Sequence, residues 1–543
     1  MKIDDGEEEE LMQQLRFKAT ELLLREEYKE SIQFYTHFIS LSKNHLSKIT
    51  SKSENSDRFN KLQKNLCLAL SNRAEAKSKI RHYAESLEDC NAALEIENTH
   101  FKTLVCKGKI LLHLNQCVNA YNCFQSALHD NEPIQNSDIE MINGFLDTCK
   151  KLEYQSRTGV YDLSDWVING FSKDQNPDLA EFIGPVEIKK SEISGRGLFT
   201  TKNFEAGSLL FVTKAVATDR GIFLRECGED SKMVMWKDFV DKIVDVATKC
   251  RKTYDLICRL TTAEEEEMLQ VPDISVFRPD NDEFLLSEDM KPDVAKILNI
   301  LDVNSLTEED GIAAKVLGKN SDYYGVGLWI LASFINHSCE PNARRLHVGD
   351  HLMVHASRDI KAGEEIFFAY FDVLTPLSKR IEMSKTWGFH CGCNRCRFER
   401  DIYIRNQGLN EIEILLECGS DIGNVIFRLE EWMKRWMLKG EKREKGYLRA
   451  SFWRIFSEAY ESEKSMQRWG RRIPAGEVVG ESVAEAVGSD ERVLKMVVEG
   501  LRRNGVIGGV VEVEKEMKLG RSVYSKVFKK RKAMKALLEL CIR

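Results

Sequence analysis

A short polar segment carries the most distinctive pattern in the sequence. It follows the apolar run that ends at Ile335, and it reads Asn336-His337-Ser338-Cys339-Glu340-Pro341-Asn342. Asparagine and serine side chains stabilise turns through hydrogen bonds to nearby backbone, so the plainest interpretation is a polar turn. The cysteine at its centre indicates a second role, because three more cysteines crowd together further along the chain.

These later cysteines form the pattern Cys391-Gly392-Cys393-Asn394-Arg395-Cys396. A CxCxxC loop can wrap one soft cation with thiolates, so the pattern predicts a zinc site. A tetrahedral ion needs a fourth ligand, for which the candidates are Cys339 and His390. Adjacent residues rarely point at one ion, which disfavours His390 beside Cys391 and favours Cys339. Four thiolates leave no coordination position for water, so the site would be structural. The alternative is a group of reduced, buried cysteines without metal.

Two glycine-containing patterns lie on either side of the polar segment. Gly195-Arg196-Gly197 follows a strand-like stretch, and such glycines let the backbone approach a ligand closely; an ordinary turn is the alternative. Gly363-Glu364-Glu365 leads into an apolar strand that ends at Tyr370. The chain has no six-residue GxGxxG with a following βαβ period, which argues against a Rossmann dinucleotide site.

These patterns, in this order, resemble those of SET-domain methyltransferases over residues 183–400. The segment 336–342 matches N-H-S-C-x-P-N at every fixed position, and the late cysteines match the post-SET zinc segment. The subgroup is similar to the SET-and-MYND proteins, because Trp387-Gly388-Phe389 precedes the cysteines. A MYND finger needs many Cys and His ligands, whereas residues 200–335 contain three cysteines and no histidine. The MYND finger is therefore absent, and the nearest match is the SET proteins with tetratricopeptide repeats.

The resemblance implies methyl transfer from S-adenosylmethionine to a lysine of a protein substrate, histone or non-histone. It implies that Tyr370 is catalytic and orients the amine, and that Phe389 and Trp387 close over the cofactor or line the lysine channel. The metal ligands so implied are Cys339, Cys391, Cys393 and Cys396. The implied cofactor contacts are Arg196, Gly197, Ser333, Asn336, His337, Tyr370 and Phe389.

The first 150 residues predict a stack of paired helices. Small residues recur at a step of 34, from Ala74 to Gly108 and from Ala93 to Ala127. This period resembles tetratricopeptide repeats, whose concave groove binds peptides; a generic helical bundle is the alternative. Asn72 matches an asparagine of the clamp that grips chaperone C-termini, but Thr20 stands where the clamp has another asparagine. A peptide or a chaperone is therefore the expected partner of this groove.

The remaining regions complete a multidomain organisation. We expect an all-α repeat domain at 1–150, a connector at 151–182, an α+β SET domain with its zinc segment at 183–400, and an all-α domain at 401–543. Within this scheme, the polar stretch 42–61 is predicted to be a loop, 237–267 a helical insertion, and 344–356 a β-hairpin. The acidic run at 4–10 is predicted to be a frayed terminus.

Composition limits the classes of partner. The net charge is −7 without a basic stripe, which argues against direct nucleic-acid binding. No apolar stretch reaches the length of a membrane span, and cysteine usage fits free thiols or metal ligands. We therefore expect a cytoplasmic or nuclear protein. The basic run 529–532 is interpreted as a helix face, with a nuclear localisation signal as the alternative. A non-catalytic scaffold that binds partners is the alternative to an enzyme.

Overall fold

A computed structural model describes residues 5–49, 56–128, 135–170, 177–222, 228–262, 269–278, 291–308, 323–405, 408–437, 442–503 and 510–542. These residues form 22 helices and 11 strands, besides 3-10 turns at Ile274–Phe277 and Ile330–Phe334. The helices are α1 (Asp5–Leu24), α2 (Tyr28–Ile49), α3 (Ser56–Lys79), α4 (Tyr83–Ile96), α5 (Phe101–His113), α6 (Cys117–Leu128), α7 (Asn136–Thr158), α8 (Ser164–Ile168), α9 (Gly228–Lys249), α10 (Arg251–Ile257), α11 (Val294–Asn304), α12 (Leu377–Thr386), α13 (Asn394–Arg405), α14 (Gly408–Glu417), α15 (Ile422–Trp436), α16 (Lys442–Ser451), α17 (Trp453–Glu461), α18 (Glu463–Trp469), α19 (Gly476–Val487), α20 (Glu491–Arg503), α21 (Val510–Tyr524) and α22 (Arg531–Ile542). The strands are β1 (Phe182–Ile183), β2 (Val186–Lys190), β3 (Arg196–Thr200), β4 (Leu209–Lys214), β5 (Thr218–Ile222), β6 (Leu306–Thr307), β7 (Tyr323–Gly327), β8 (Asn336–His337), β9 (Ala343–Val348), β10 (His351–Ala356) and β11 (Phe367–Phe368).

The N-terminal region is all-helical, as predicted, and its repeat is visible in the turns. The pairs α1–α2, α3–α4 and α5–α6 are each joined by a short turn that contains one left-handed residue: Glu26, Arg81 or Asn115. These positions are 55 and 34 residues apart, the same steps that separate Ala19, Ala74 and Gly108 in the sequence. The helix crossings repeat the pattern too, because Ser31 donates to the Ala19 carbonyl and Ser86 to the Ala74 carbonyl, at 2.9 and 2.5 Å.

Two predictions for this region were wrong. Helix α2 continues to Ile49 and α3 begins at Ser56, so most of the polar stretch 42–61 is helical and only 50–55 lies outside the described residues. The helix continues because Ser42 is fully buried and His45 contacts Glu8 at 2.6 Å. The acidic run that was predicted to be frayed is likewise helical from Asp5 onward, as part of α1. Its Glu8 carboxylate contacts His45.

The central region contains four small sheets around one core. The four-stranded sheet has the order β1-β4-β10-β9, and its β9–β10 pair confirms the predicted hairpin. Strands β2 and β3 form a second hairpin, β5, β7 and β6 form a third sheet, and β8 pairs with β11. Leu198, Phe211, Trp329 and Val354 are fully buried between these sheets. The insertion after β5 is helical through α9 and α10, as predicted, whereas 263–268 lies outside the described residues.

The β8–β11 pair positions the polar segment 336–342. It is parallel, with Asn336 opposite Phe367 and His337 opposite Phe368. The Asn342 side chain extends this pairing because its amide donates to the Glu365 carbonyl and its oxygen accepts from the Phe367 backbone N–H, both at 2.8 Å. Residues 336–342 and 365–370 are therefore locked side by side.

The C-terminal region is helical, as predicted, and packs on the central sheets. One core joins α15, α16, α17 and α19 through Leu429, Leu448, Phe456 and Val483. A second core joins α21 and α22 to the four-stranded sheet, to residues 161–168 and to Leu179. The basic run contributes Lys530, which bonds Ser164 and Asp165 ahead of α22. None of the described helices combines the length and apolar character that crossing a membrane requires.

The helix crossing at Gly108 can be tested by Gly108→Ala. A Cβ there would lie 2.7 Å from the Phe124 ring, whereas a Cβ at Gly144, an exposed position of α7, would meet nothing within 4 Å. Alanine favours both helices equally, so the difference between the two variants isolates the overlap with the ring. We expect Gly108→Ala to be less stable than Gly144→Ala by about 1–3 kcal/mol in urea unfolding. Equal stabilities would contradict close packing at this crossing.

Candidate active site and metal centre

The Asn336 side chain connects β8 to the turn of the β2–β3 hairpin. Its amide nitrogen lies 3.1 Å from the carbonyl oxygens of both Ser194 and Arg196, and 2.8 Å from the Glu365 carboxylate. An amide group has two N–H hydrogens to share among these three acceptors. The amide nitrogen is thus used within the protein, and the side-chain oxygen is the group that can contact a ligand.

Glu365, for which the sequence predicted no role, completes this network. Its second carboxylate oxygen accepts a hydrogen bond from Ser191 at 2.9 Å. A Cβ at Gly197 would lie 2.2 Å from the Glu365 carboxylate. The glycine therefore makes room for this carboxylate, in addition to the close approach of a ligand that the sequence predicted for it. Burial raises the pKa of Glu365, while its bonds to Asn336 and Ser191 act in the opposite direction. Its only signal in the sequence was its place in the Gly-Glu-Glu pattern.

His337 lies between the tyrosine and the cysteines. Its Nδ1 accepts the backbone N–H of Tyr370 at 3.0 Å, and its Nε2 lies 3.4 Å from the Cys339 sulfur. The ring is buried against Phe371, with 4.3 Å between centroids. Both ring nitrogens therefore contact protein atoms, and His337 fixes the backbone at Tyr370.

Tyr370 lies among aromatic side chains at the end of the β11 segment. Its hydroxyl donates to the Ile335 carbonyl at 2.7 Å, and its ring centroid is 5.3 Å from that of Trp387 and 6.2 Å from that of Phe389. Burial raises the pKa of Tyr370. The hydroxyl therefore keeps its proton near neutral pH, and its oxygen lone pairs can accept a hydrogen bond from another donor.

The remaining predicted contacts lie near this site but use their side chains elsewhere. The Arg196 guanidinium donates to the Arg259 carbonyl at 2.8 Å and lies 5.1 Å from the Phe334 ring centroid. The Ser333 hydroxyl lies 3.3 Å from the carbonyl oxygens of Asn304 and Trp329. The Arg196 backbone begins β3 and accepts the hydrogen bond from Asn336, whereas the Ser333 hydroxyl has a structural role.

The four cysteines predicted as metal ligands lie together. The sulfur atoms of Cys339, Cys391, Cys393 and Cys396 are all within 4.8 Å of one another. Cys339 is 3.5 Å from Cys396 and 3.8 Å from Cys391, sulfur to sulfur. The neighbouring His390 is exposed and outside this group. Four soft donors at this spacing fit one tetrahedral ion such as zinc.

The crowding of these thiols shifts their pKa values in opposite directions. Hydrogen bonds with Cys339 lower the pKa of Cys391 to about 7 and also lower the pKa of Cys393, whereas hydrogen bonds with neighbouring thiols raise the pKa of Cys339 and Cys396. Metal binding requires deprotonated thiols, so filling this site would release protons.

A second trio of metal-binding types lies in the N-terminal helices. The ligand atoms of Cys67, Glu97 and His100 are within 4.8 Å of one another. The Cys67 thiol, however, lies 3.5 Å from the Ala93 carbonyl, and burial raises its pKa to about 11. Its proton is therefore hard to lose, which opposes thiolate binding there.

Glu340, at the variable position of the polar segment, attaches the cysteine loop to the C-terminal helices. It accepts the backbone N–H of Asn394 at 3.0 Å, where α13 begins, and the Tyr447 hydroxyl at 2.6 Å. Arg443 of α16 pairs with the same carboxylate at 3.1 Å. The sequence did not indicate this role, because Arg443 and Tyr447, the two partners that α16 provides, lie more than a hundred residues further along the chain.

Comparison with known proteins identifies the central region. Residues 195–371 match the SET domain family. A methyltransferase of Gibberella zeae is 26% identical over 353 residues, which cover 61% of this chain and 46% of the relative. The histone-lysine N-methyltransferase SMYD3 of Homo sapiens is 42% identical over 74 residues, covering 13% and 17%. SET5 of Saccharomyces cerevisiae, also a histone-lysine N-methyltransferase, is 29% identical over 178 residues, covering 32% and 26%. The matches thus span less than half the length of each of these relatives.

Among solved structures, yeast Tom70 aligns over 98% of this chain and 85% of its own, with 11% identity and a TM-score of 0.22.

The contact between Glu340 and α16 can be tested by Tyr447→Phe. The lost hydrogen bond goes to a carboxylate, so we expect a loss of about 1.5–3 kcal/mol in the free energy of unfolding. Tyr460→Phe is the control, because this similarly buried tyrosine donates its hydroxyl to the Pro474 carbonyl, also at 2.6 Å. The control should lose only about 0.5–1.5 kcal/mol. A smaller loss for Tyr447→Phe than for the control would contradict a charged contact.

Proposed function

We propose that this chain, whose residues 195–371 form a SET domain, transfers a methyl group from S-adenosylmethionine to lysine side chains of a protein substrate. One observation carries the proposal: the hairpin segment 194–197, the polar segment and Tyr370 meet in one place and are joined by hydrogen bonds through Asn336 and His337. The printed names of the relatives, methyltransferase and histone-lysine N-methyltransferase, support the same reaction.

The cofactor would supply a methyl group bound to a positively charged sulfur. The residues that fit it are the backbone of Arg196 and Gly197, the side-chain oxygen of Asn336, and the ring of Phe389. The amide of Asn336 holds the turn by its two carbonyls, so the cofactor would meet a surface that is already in place. Such pre-alignment is a large part of what an enzyme contributes to a displacement.

Tyr370 would orient the lysine amine. Its hydroxyl proton is directed to the Ile335 carbonyl, so its oxygen is left to accept an N–H of the amine. This contact would direct the nitrogen lone pair away from the tyrosine. The rings of Tyr370, Trp387 and Phe389 would surround the side chain, since aromatic faces attract an ammonium group and exclude water before the proton leaves.

A zinc ion on Cys339, Cys391, Cys393 and Cys396 would hold this aromatic wall in place. Phe389 lies two residues before Cys391, and Cys339 lies two residues after His337. The ion would therefore join the post-SET loop to the segment that contacts Tyr370. Its role is structural, because four thiolates fill a tetrahedral shell.

The N-terminal helices are proposed to bind a protein partner. The asparagine that suggested a chaperone clamp is already engaged: Asn72 donates to the Tyr35 hydroxyl at 2.9 Å and accepts from Lys102 at 2.8 Å. Lys102 also pairs with Glu75 at 2.8 Å. A C-terminal carboxylate would have to displace these contacts, so we favour a peptide recognised along the groove over a chaperone C-terminus.

The catalytic assignment predicts that Tyr370→Phe lowers methyl transfer by about 100-fold or more, the usual scale for a positioned catalytic side chain. Labelled methyl transfer into a lysate, followed by identification of the modified lysine, measures it. Tyr161→Phe is the control, because its hydroxyl also donates to a backbone carbonyl at 2.7 Å, but far from the site.

The control should keep full activity. Full activity of Tyr370→Phe would contradict the assignment of this tyrosine, and cofactor binding without transfer to any protein would favour a scaffold instead.

Metal analysis tests the cysteine site. We expect about one zinc per chain, and a lower content in Cys393→Ser, which removes one of four ligands. Cys418→Ser should leave the content unchanged, since this exposed cysteine lies outside the group. A native chain that is folded, active and free of metal would overturn the structural role.

A further inference from the structure

Three charged side chains are fully buried beside the cysteines. Arg380 and Arg395 both pair with Glu399, at 2.5 and 2.8 Å, and all three side chains have no exposed surface. Buried charges cost several kcal/mol each unless partners compensate them. Two guanidinium groups and one carboxylate leave one positive charge without a partner inside this trio.

The excess charge faces sulfur. Arg380 uses one terminal nitrogen for Glu399 and directs the other at the Cys396 sulfur, 3.2 Å away. Its Nε donates to the Thr375 carbonyl at 3.0 Å, which fixes the orientation of the guanidinium plane. Arg395 reaches the same centre through the backbone, because it donates to the Cys339 carbonyl at 3.2 Å.

A divalent ion held by four thiolates keeps two negative charges, since each ligand binds as a thiolate. We propose that Arg380 and Arg395, neutralised in part by Glu399, are the buried countercharge of such an anionic metal centre. This inference rests on the four-cysteine site proposed above. It explains why an unbalanced positive charge is tolerated in a fully buried position, and why it lies at a ligand atom.

Arginine suits this position better than lysine. Its planar fork can donate to a sulfur, a carboxylate and a carbonyl at once, and it cannot lose its charge on burial. Groups that hydrogen-bond to metal ligands orient them, and their loss usually weakens metal binding.

Ser451, the last residue of α16, extends the network into the C-terminal region. Its hydroxyl lies 3.0 and 2.9 Å from the two Glu399 oxygens and 2.9 Å from the Arg395 guanidinium. The C-terminal helices thereby orient the carboxylate that holds both arginines. Metal retention should therefore depend on residues outside the cysteine loop.

Arg380→Met in the full chain tests the countercharge. It leaves Glu399 and Arg395 as a neutral pair, and it removes the charge at Cys396 together with the bonds to Glu399 and Thr375. We expect about 10- to 100-fold weaker zinc binding, measured by competition with a chromogenic chelator. The control is Arg449→Met, which breaks another mostly buried Arg–Glu pair, with Glu430 at 2.9 Å, outside the cysteine group. This control should bind zinc like the native chain even if it is less stable.

Zinc affinity equal to that of the control in a folded Arg380→Met chain would overturn the inference. If that variant does not fold, Arg380→Gln decides, because its amide is also uncharged but can still donate to the Thr375 carbonyl. Weaker zinc binding than in Arg449→Met supports the countercharge, and equal binding overturns it. Methyl transfer is not the readout, so a failure here leaves the proposed reaction untouched. A native chain that binds no zinc would instead remove the metal site on which the inference rests.

Discussion

The parallel pairing of β8 with β11 is the constraint on which the site depends. It joins only two residue pairs, Asn336 with Phe367 and His337 with Phe368. A pairing this short needs further support, and Asn342 supplies it by bonding the backbone at both Glu365 and Phe367. Ser338 adds a backbone bond to Phe368 at 2.9 Å. Two segments about thirty residues apart in sequence are thereby held in contact, and the side chains of each reach the other.

Because of this pairing, neighbouring side chains of the segment 336–340 contact different parts of the protein. Asn336 holds the hairpin turn, His337 holds the backbone of Tyr370, and Cys339 joins the sulfur cluster, while Glu340 binds the C-terminal helices. The proposed cofactor site and the proposed metal centre are therefore neighbours along a few residues of backbone. A disturbance of the metal centre should reach Tyr370 through His337, whose ring nitrogens contact both Tyr370 and Cys339.

Short sequence patterns predicted much of this arrangement. The features that they did not predict depend on contacts between residues far apart in the sequence. The 34-residue step was visible because it recurs at small buried residues such as Ala74 and Gly108. The four cysteines could be grouped because few residue types bind zinc. Glu365 was missed because an acidic residue before a strand is usually exposed, and nothing local indicates that Gly197 leaves room for it. The stretch 42–61 was wrongly predicted to be a loop because its composition is polar. Most of it is helical, and Ser42 within it is fully buried.

The hairpin segment 194–197, the polar segment and the segment that ends at Tyr370 are proposed to form one cofactor site. Hydrogen–deuterium exchange of the zinc-loaded chain, with and without S-adenosylmethionine, tests whether they do. If they form one site, the cofactor slows exchange together in residues 194–197, 336–338 and 367–371. Binding that protects other segments and leaves these three unchanged would contradict it, as would the absence of binding to a folded, zinc-loaded chain.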